Sequence, residues 1–407
     1  MDLLKGIGVI YLIFLHHVVW LFIENDSGGL LYPEAYRFVS FFYHSILGYL
    51  GGQIPLLAGA TFFIHLRRRP RALPVDECEN ASADVRREGK APDRGLVDTP
   101  TGNYEKQASR GKQWYHGQSP WGSISLKRKK TGFIEVLKRA VALIVLGFAM
   151  NCLTWGWHEG SYLDDIFDWD ALQFIALSMV VTYPFIKYLP DRSGIGLVLM
   201  LGFLALTFSS QFPLSGLQDS YLYSIIIGDV SGENYWPLCP WFILFAWGIF
   251  IGKILSLEDD GALKKLMWAG LVFLALAIFS GGFIPPTNID NIWGPSLFKP
   301  SPFLPLGVMS FSSVTIAVLS ISLKRFHKAR EKLERSYIAY FGQAVLWVYI
   351  ISTVVGYNIT CWVSAKYRLN FSQALTWLPF LVLVSFLVSY AAVKFLCARK
   401  KVFYEKK

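Results

Sequence analysis

Cysteine is scarce and scattered. Five occur in 407 residues, none as a CxxC pair, so the chain offers neither a metal knuckle nor a disulfide framework. Cys78 and Cys397 fall in stretches expected in the cytosol, while Cys152, Cys239 and Cys361 lie in apolar runs or near the opposite surface, where one pairing stays open. Also missing are a Gly-rich phosphate loop, an HExxH pair, an EF-hand loop and a GxSxG elbow, which argues against soluble-type nucleotide hydrolysis and zinc chemistry. Charge is low as well. Asp, Glu, Lys and Arg make up 17% of the chain, against 53% hydrophobic and 16% aromatic residues. By composition this is an integral membrane protein. No basic stretch precedes the first apolar run and no small-residue cleavage site follows it, so that run is expected to stay as a helix.

Apolar runs of spanning length occur near 3–23, 40–66, 132–153, 169–189, 193–211, 237–256, 263–284, 303–323, 336–356 and 373–396. The net charge of +10 would invite a nucleic-acid reading in a soluble protein. Here its distribution speaks for topology and no nucleic-acid partner is expected. With a cytosolic N-terminus, all of the 39 Lys and Arg except Arg37, Lys299, Lys366 and Arg368 fall on the cytosolic side, as the positive-inside rule requires. The expectation is an all-α polytopic protein of about ten transmembrane helices, both termini cytoplasmic, in the plasma membrane. Residues 1–66 hold the first two helices, 132–396 helices three to ten, and 397–407 a basic tail. Residues 67–131 are polar and poor in large aliphatics, and read as a disordered basic cytoplasmic loop. Its ends, RRRPR at 67–71 and KRKK at 127–130, are placed on anionic headgroups, with recruitment of an anionic cofactor as the alternative.

The first run, MDLLKGIGVIYLIFLHHVVWLFI, carries Asp2, Lys5, His16 and His17. Ionisable groups inside a membrane helix cost a few kcal/mol each, so they face a protein interior or a wet cavity. Lys5 and His16 are eleven residues apart, about three turns, which puts both on one face with an axial offset of roughly 16 Å. The plain reading is that Lys5 snorkels to the headgroups and His16 bonds a neighbouring helix. The functional reading makes the stripe a site, with His16 as base.

The second run contains His44, Gly48, Gly51, Gly52, Gln53, Pro55 and Gly59, and is expected to pack closely or kink. His44 reads as a second catalytic imidazole or as a buried structural one. Between the third and fourth runs, Trp155 to Asp170 joins tryptophans to carboxylates, among them Asp168, Trp169 and Asp170. Rings that stack on a sugar and carboxylates that bind hydroxyls form a sugar site. An interfacial aromatic belt is the alternative. Asp170 and Gln173, three residues apart at a helix start, face one way. Gly248 and Gly252 offer a small-xxx-small packing face.

The opening DLLKGIGVIYLIFLHH, with WDALQFIALS at 169–178, PWFILFAWGIFIGK at 240–253, KPSPF at 299–303 and FGQAVLWVYIIS at 341–352, resembles in order the heparan-α-glucosaminide N-acetyltransferase catalytic-domain family. The Lys5 to His16 spacing is similar to the motif of the related acyltransferase-3 membrane enzymes. The resemblance implies acyl transfer across the membrane, from cytosolic acetyl-coenzyme A as co-substrate to a sugar amine or hydroxyl, on a carbohydrate or glycolipid acceptor at the far side. It implies that His16 is the motif histidine and that Lys5 faces the coenzyme's phosphates. Gln173 and Trp241 match family letters and are placed with the donor, and Asp168, Trp169 and Asp170 with the acceptor. Members begin further upstream, so a clipped N-terminus is expected. One departure stands out. Heparan-type members carry Asn in place of His16 and a histidine about eleven residues later, where this chain has Ser27 and no histidine nearby, so their acceptor-side mechanism does not carry over.

The chemistry suits these residues without the family. Thioester acyl transfer needs a base, for which an imidazole is best matched, and donors for the oxyanion, for which His17, Gln173 or backbone in the second helix could serve. A transporter or flippase, with His16, His44 and Asp170 as proton-coupling sites, is the competing reading. It predicts matching broken helices in two halves, and only the first half shows one. A third reading makes the titratable groups interhelical glue. Membrane lipids are partners under all three, and a homodimer stays open.

Overall fold

The computed structural model describes residues 2–22, 53–67, 132–155, 166–208, 221–227, 236–257, 259–279, 303–334, 336–367 and 369–405. His44, the loop after Arg67 as far as 131, the acidic stretch 156–165 and the KPSP motif lie outside the described residues. Among the described residues the chain is all-helical. The helices are α1 (Asp2–Phe22), α2 (Gln53–Arg67), α3 (Phe133–Trp155), α4 (Ala171–Tyr188), α5 (Asp191–Phe208), α6 (Tyr221–Ile227) and α7 (Leu238–Leu257). There follow α8 (Asp260–Phe279), α9 (Phe303–Arg325), α10 (His327–Glu334), α11 (Tyr337–Gln343), α12 (Val345–Tyr367) and α13 (Phe371–Glu405). Seven of these, α1, α4, α7, α8, α9, α12 and α13, are long and apolar enough to cross a membrane. The chain is therefore an all-α polytopic membrane protein.

Two helices are enclosed by the rest. Along α7, Ile243, Leu244, Phe245, Ala246, Ile249 and Ile251 are fully buried. Its close neighbours α2 and α5 reach it through glycines, because in an apolar solvent association rests on close van der Waals approach. A Cβ on Gly248 would sit 1.9 Å from the Leu56 carbonyl oxygen, one on Gly252 2.7 Å from that of Ala60, and one on Gly59 2.2 Å from that of Phe245. The small-residue face expected at Gly248 and Gly252 is thus the α2 contact.

The second enclosed helix is α1, wedged among α11, α12 and α13. Gly6 and Gly342 let α1 and α11 meet backbone to backbone, since a Cβ would fall 1.8 Å from the Ile338 oxygen and 1.6 Å from the Asp2 oxygen respectively. The polar helix is therefore an interior one, as its ionisable residues require. By contrast α8 turns Val272, Leu276 and Phe279 outward, which suits a lipid-facing position.

The expected span 336–356 is not one helix. It is the short α11 followed, across Ala344, by α12, which continues to Tyr367. Gly342 and Gln343 stand immediately before the break. Cys152 and Cys239 are free thiols.

Charges gather at one end of the bundle. Asp191, at the start of α5, accepts from Arg67 of α2 (2.6 Å) and Lys253 of α7 (2.6 Å). Arg67 also donates to the carbonyls of Ile186 and Leu189 at the end of α4. Lys324 of α9 pairs with Asp260 of α8 at 2.5 Å. At the opposite end, Lys366 lies over the rings of Trp362 and Tyr367.

Candidate functional site

The site is assembled from three helices far apart in sequence. The Asn151 side-chain amide donates to the backbone oxygens of Asp168 (2.8 Å) and Ile166 (3.4 Å), and Gln173 donates to Asp168 O at 3.3 Å. These bonds fix the approach to α4 and set Asp170 at its N-cap. There one carboxylate oxygen accepts from the Ala171 N–H at 2.6 Å, an arrangement the positive end of the helix dipole favours. The other oxygen accepts from the Tyr349 hydroxyl of α12 at 3.2 Å. The Tyr349 ring in turn lies 6.2 Å from the His16 ring of α1, and His16 packs on Trp20 at 4.8 Å. Tyr349 thus joins His16 to Asp170.

The two histidines differ sharply. His17 is fully buried and both its ring nitrogens are engaged, Nδ1 with Thr360 Oγ1 at 2.9 Å and Nε2 with Ser385 Oγ at 2.8 Å. The single hydroxyl proton of Thr360 goes to the Gly356 carbonyl. Thr360 must therefore accept from Nδ1–H, and Nε2 is hydrogen-bonded to the Ser385 hydroxyl. Both nitrogens of that imidazole are engaged, and it pins α1 to α12 and α13. His16 is half-buried, and among the described residues no hydrogen bond reaches either of its nitrogens.

Lys5 occupies the same unbroken helix as His16, about three turns or roughly 16 Å away. It is mostly buried and ion-paired with Asp2 at 2.9 Å. Gln173 is fully buried, with its amide against Gly147, where a Cβ would come within 2.5 Å. Its Oε1 has no hydrogen-bond partner, and neither does Nε1 of the buried Trp241. Trp169 is buried and Asp168 half-buried. Burial, and then the Asp168 carboxylate, hold the Tyr221 hydroxyl above the usual phenol range, and that hydroxyl donates to the Phe167 carbonyl. Of the residues singled out in the sequence, the structure brings His16 and Asp170 into one cluster. It turns Gln173 towards α3, and puts Lys5 near the charged end.

The sequence assigns no role to Tyr349 or Asn151. A tyrosine in an apolar helix carries no signal of its partner, and Asp170 lies 179 positions away.

These helices and this cluster define a polytopic membrane protein with a polar centre inside the bundle. The family model described as heparan-alpha-glucosaminide N-acetyltransferase, catalytic, matches residues 121–282, so over that stretch the chain carries the pattern of a membrane N-acetyltransferase family. The matched stretch includes Asp168, Trp169, Asp170, Gln173 and Trp241 and leaves out α1 and α12. Comparison with curated proteins and with solved structures finds no match in either.

Proposed function

We propose that the chain is a membrane-embedded acetyltransferase that moves an acetyl group from cytosolic acetyl-coenzyme A, a substrate, to a sugar amine or hydroxyl on the far side. The observation that carries this reading is an imidazole, His16, that no described residue hydrogen-bonds, in the bundle interior beside the Tyr349–Asp170 pair. In the reaction the acceptor's lone pair attacks the thioester carbonyl carbon and His16 takes the acceptor's proton. The C–S bond then breaks and the proton passes from His16 to the departing sulfur. An imidazole is the side chain best matched to both transfers near neutral pH.

Tyr349 and Trp20 hold the His16 ring, and Asp170 orients Tyr349. His17 is a positioning residue, because its nitrogens are spent on α12 and α13. Lys5 exchanges Asp2 for the donor's phosphates at the charged end, which is the cytosolic one with both termini inside. The roughly 16 Å from Lys5 to His16 is comparable to an extended pantetheine arm. Trp169 and Asp168 line the acceptor side. Residues 67–131 form a cytoplasmic loop, and the membrane is the plasma membrane.

The test is acetyl transfer in proteoliposomes, with labelled acetyl-coenzyme A on one side and glucosamine-type acceptors on the other. Wild-type protein transfers label across the bilayer and His16→Ala does not. Full transfer by His16→Ala would sink the reading.

A further inference from the structure

Three buried polar atoms near the contacts of α2 with α1 and α7 have no hydrogen-bond partner among the described residues: Tyr11 OH, Gln53 Nε2 and Trp241 Nε1. Gln53 and Trp241 are only 3% and 4% exposed. On α7, Trp241 shares the stripe of Phe245, Gly248 and Gly252, spaced four, three and four residues apart. On α2, Gln53 shares the stripe of Leu56 and Ala60. Residues at these spacings lie on one helix face. These two stripes are the ones in contact, with Gly248 against Leu56 and Gly252 against Ala60. The helices run side by side in the same direction, so Gln53 and Trp241 both fall at the end of this seam away from the Asp191 cluster. On α1, Gly8 faces Leu57, 3.7 Å from where its Cβ would be, and Tyr11 is three residues along that face.

Packing does not account for these atoms. A buried serine or threonine hydroxyl can turn to a carbonyl of its own helix, as Thr61 and Ser313 do here. An indole N–H has no such retreat, since it donates only and is fixed in the ring plane. The missing partner must be an acceptor oxygen. Arg67 and Lys253 lie at the far ends of their helices, 14 and 12 residues off, about 18–21 Å along the axes. The seam therefore suits a neutral acceptor better than a phosphate.

We infer that Trp241 and Gln53, with Tyr11, form a cradle for a carbonyl oxygen of the ligand. Given the acetyl-transfer reading, on which this assignment rests, that oxygen belongs to the acetyl group. When the acceptor attacks, the carbonyl π electrons move onto this oxygen. The preorganised N–H and O–H groups stabilise the charge until the C=O re-forms and the C–S bond breaks. Fixed donors that wait for charge to develop are a large source of rate enhancement.

The experiment is infrared difference spectroscopy on full-length protein in detergent with acetyl-coenzyme A labelled with 13C at the acetyl carbonyl. Thermal melts and transfer kinetics of Trp241→Phe and Gln53→Leu accompany it. In the wild type the labelled band moves to lower wavenumber on binding, and in each variant it returns towards the free position. Each variant loses about 10²-fold in kcat with KM little changed, while its ligand-free Tm stays level or rises, because an unpaired buried donor has been removed. Bound label with an unshifted band overturns the cradle alone, as does a variant with wild-type kcat. Variants that lose Tm together with kcat show a structural role and overturn it too. Failure of the wild type to bind the donor overturns the acetyl-transfer reading and the cradle's occupant with it.

Discussion

His16 and His17 are consecutive in the chain, yet among the described residues one has no hydrogen bond at either ring nitrogen and the other has one at both. Successive residues of a helix point about 100° apart, and here that rotation separates a tie between three helices from a group free to react.

The two should therefore fail differently. His17→Leu strands the Ser385 hydroxyl and frees Thr360, and interhelical hydrogen bonds in membranes are worth roughly 0.6–2 kcal/mol each. Its Tm in detergent falls clearly. His16→Ala breaks no hydrogen bond, keeps a near wild-type Tm and loses acetyl transfer. Melting curves read beside proteoliposome transfer separate the pair, and equal Tm losses would contradict the assignment.

Tyr349→Phe deletes the bond to Asp170 and leaves a buried carboxylate oxygen short of a donor. Combined with Asp170→Asn in a double-mutant cycle, it should show a coupling of about 0.5–3 kcal/mol in stability. Transfer should drop about tenfold or more, as removal of a positioned polar partner does. Additive effects on stability and rate would show that the contact is idle.

Glycine substitutions should divide by what a methyl group would meet. Gly342→Ala and Gly248→Ala drive a Cβ into backbone oxygens of α1 and α2. Overpacking of this kind costs about 1–3 kcal/mol or more, and little monodisperse protein should survive detergent extraction. Gly196→Ala in α5 meets nothing within 4 Å and should be neutral or stabilising by roughly 0.5–1 kcal/mol, as helix propensity dictates. Size-exclusion profiles and Tm decide it.

Topology is open to direct labelling. In a cysteine-free background, Lys366→Cys should react with a membrane-impermeant maleimide applied to intact cells. Lys264→Cys should react only after the membrane is opened. The reverse pattern would invert the bundle.

Most of the helical frame was legible in the chain, because a span needs only a long enough apolar stretch and basic flanks. Six expected spans return as helices that meet that standard, and α12 meets it displaced from the expected span 336–356. The expected spans 132–153 and 193–211 return as α3 and α5, which are not among those seven, and 336–356 divides at Ala344, beside Gln343, into α11 and α12. The site was legible only in part. An ionisable residue in an apolar helix announces itself, so His16, His17 and Asp170 stood out. Tyr349, Thr360, Ser385, Tyr11 and Gln53 did not, since hydroxyls and single amides are common in membrane helices and their meaning is a matter of partners.

The sequence alone determined that this is a helical membrane protein, where its ionisable residues lie, and that one helix carries a cation and an imidazole on a single stripe. Those are consequences of the cost of charge in hydrocarbon and the fixed pitch of a helix. Tertiary structure decided which histidine is spent and which is free, that Asp170 meets Tyr349, and that Gln53 and Trp241 close one seam without partners. Such choices depend on contacts between helices hundreds of residues apart, set by where glycines let backbones touch, and no local pattern encodes them.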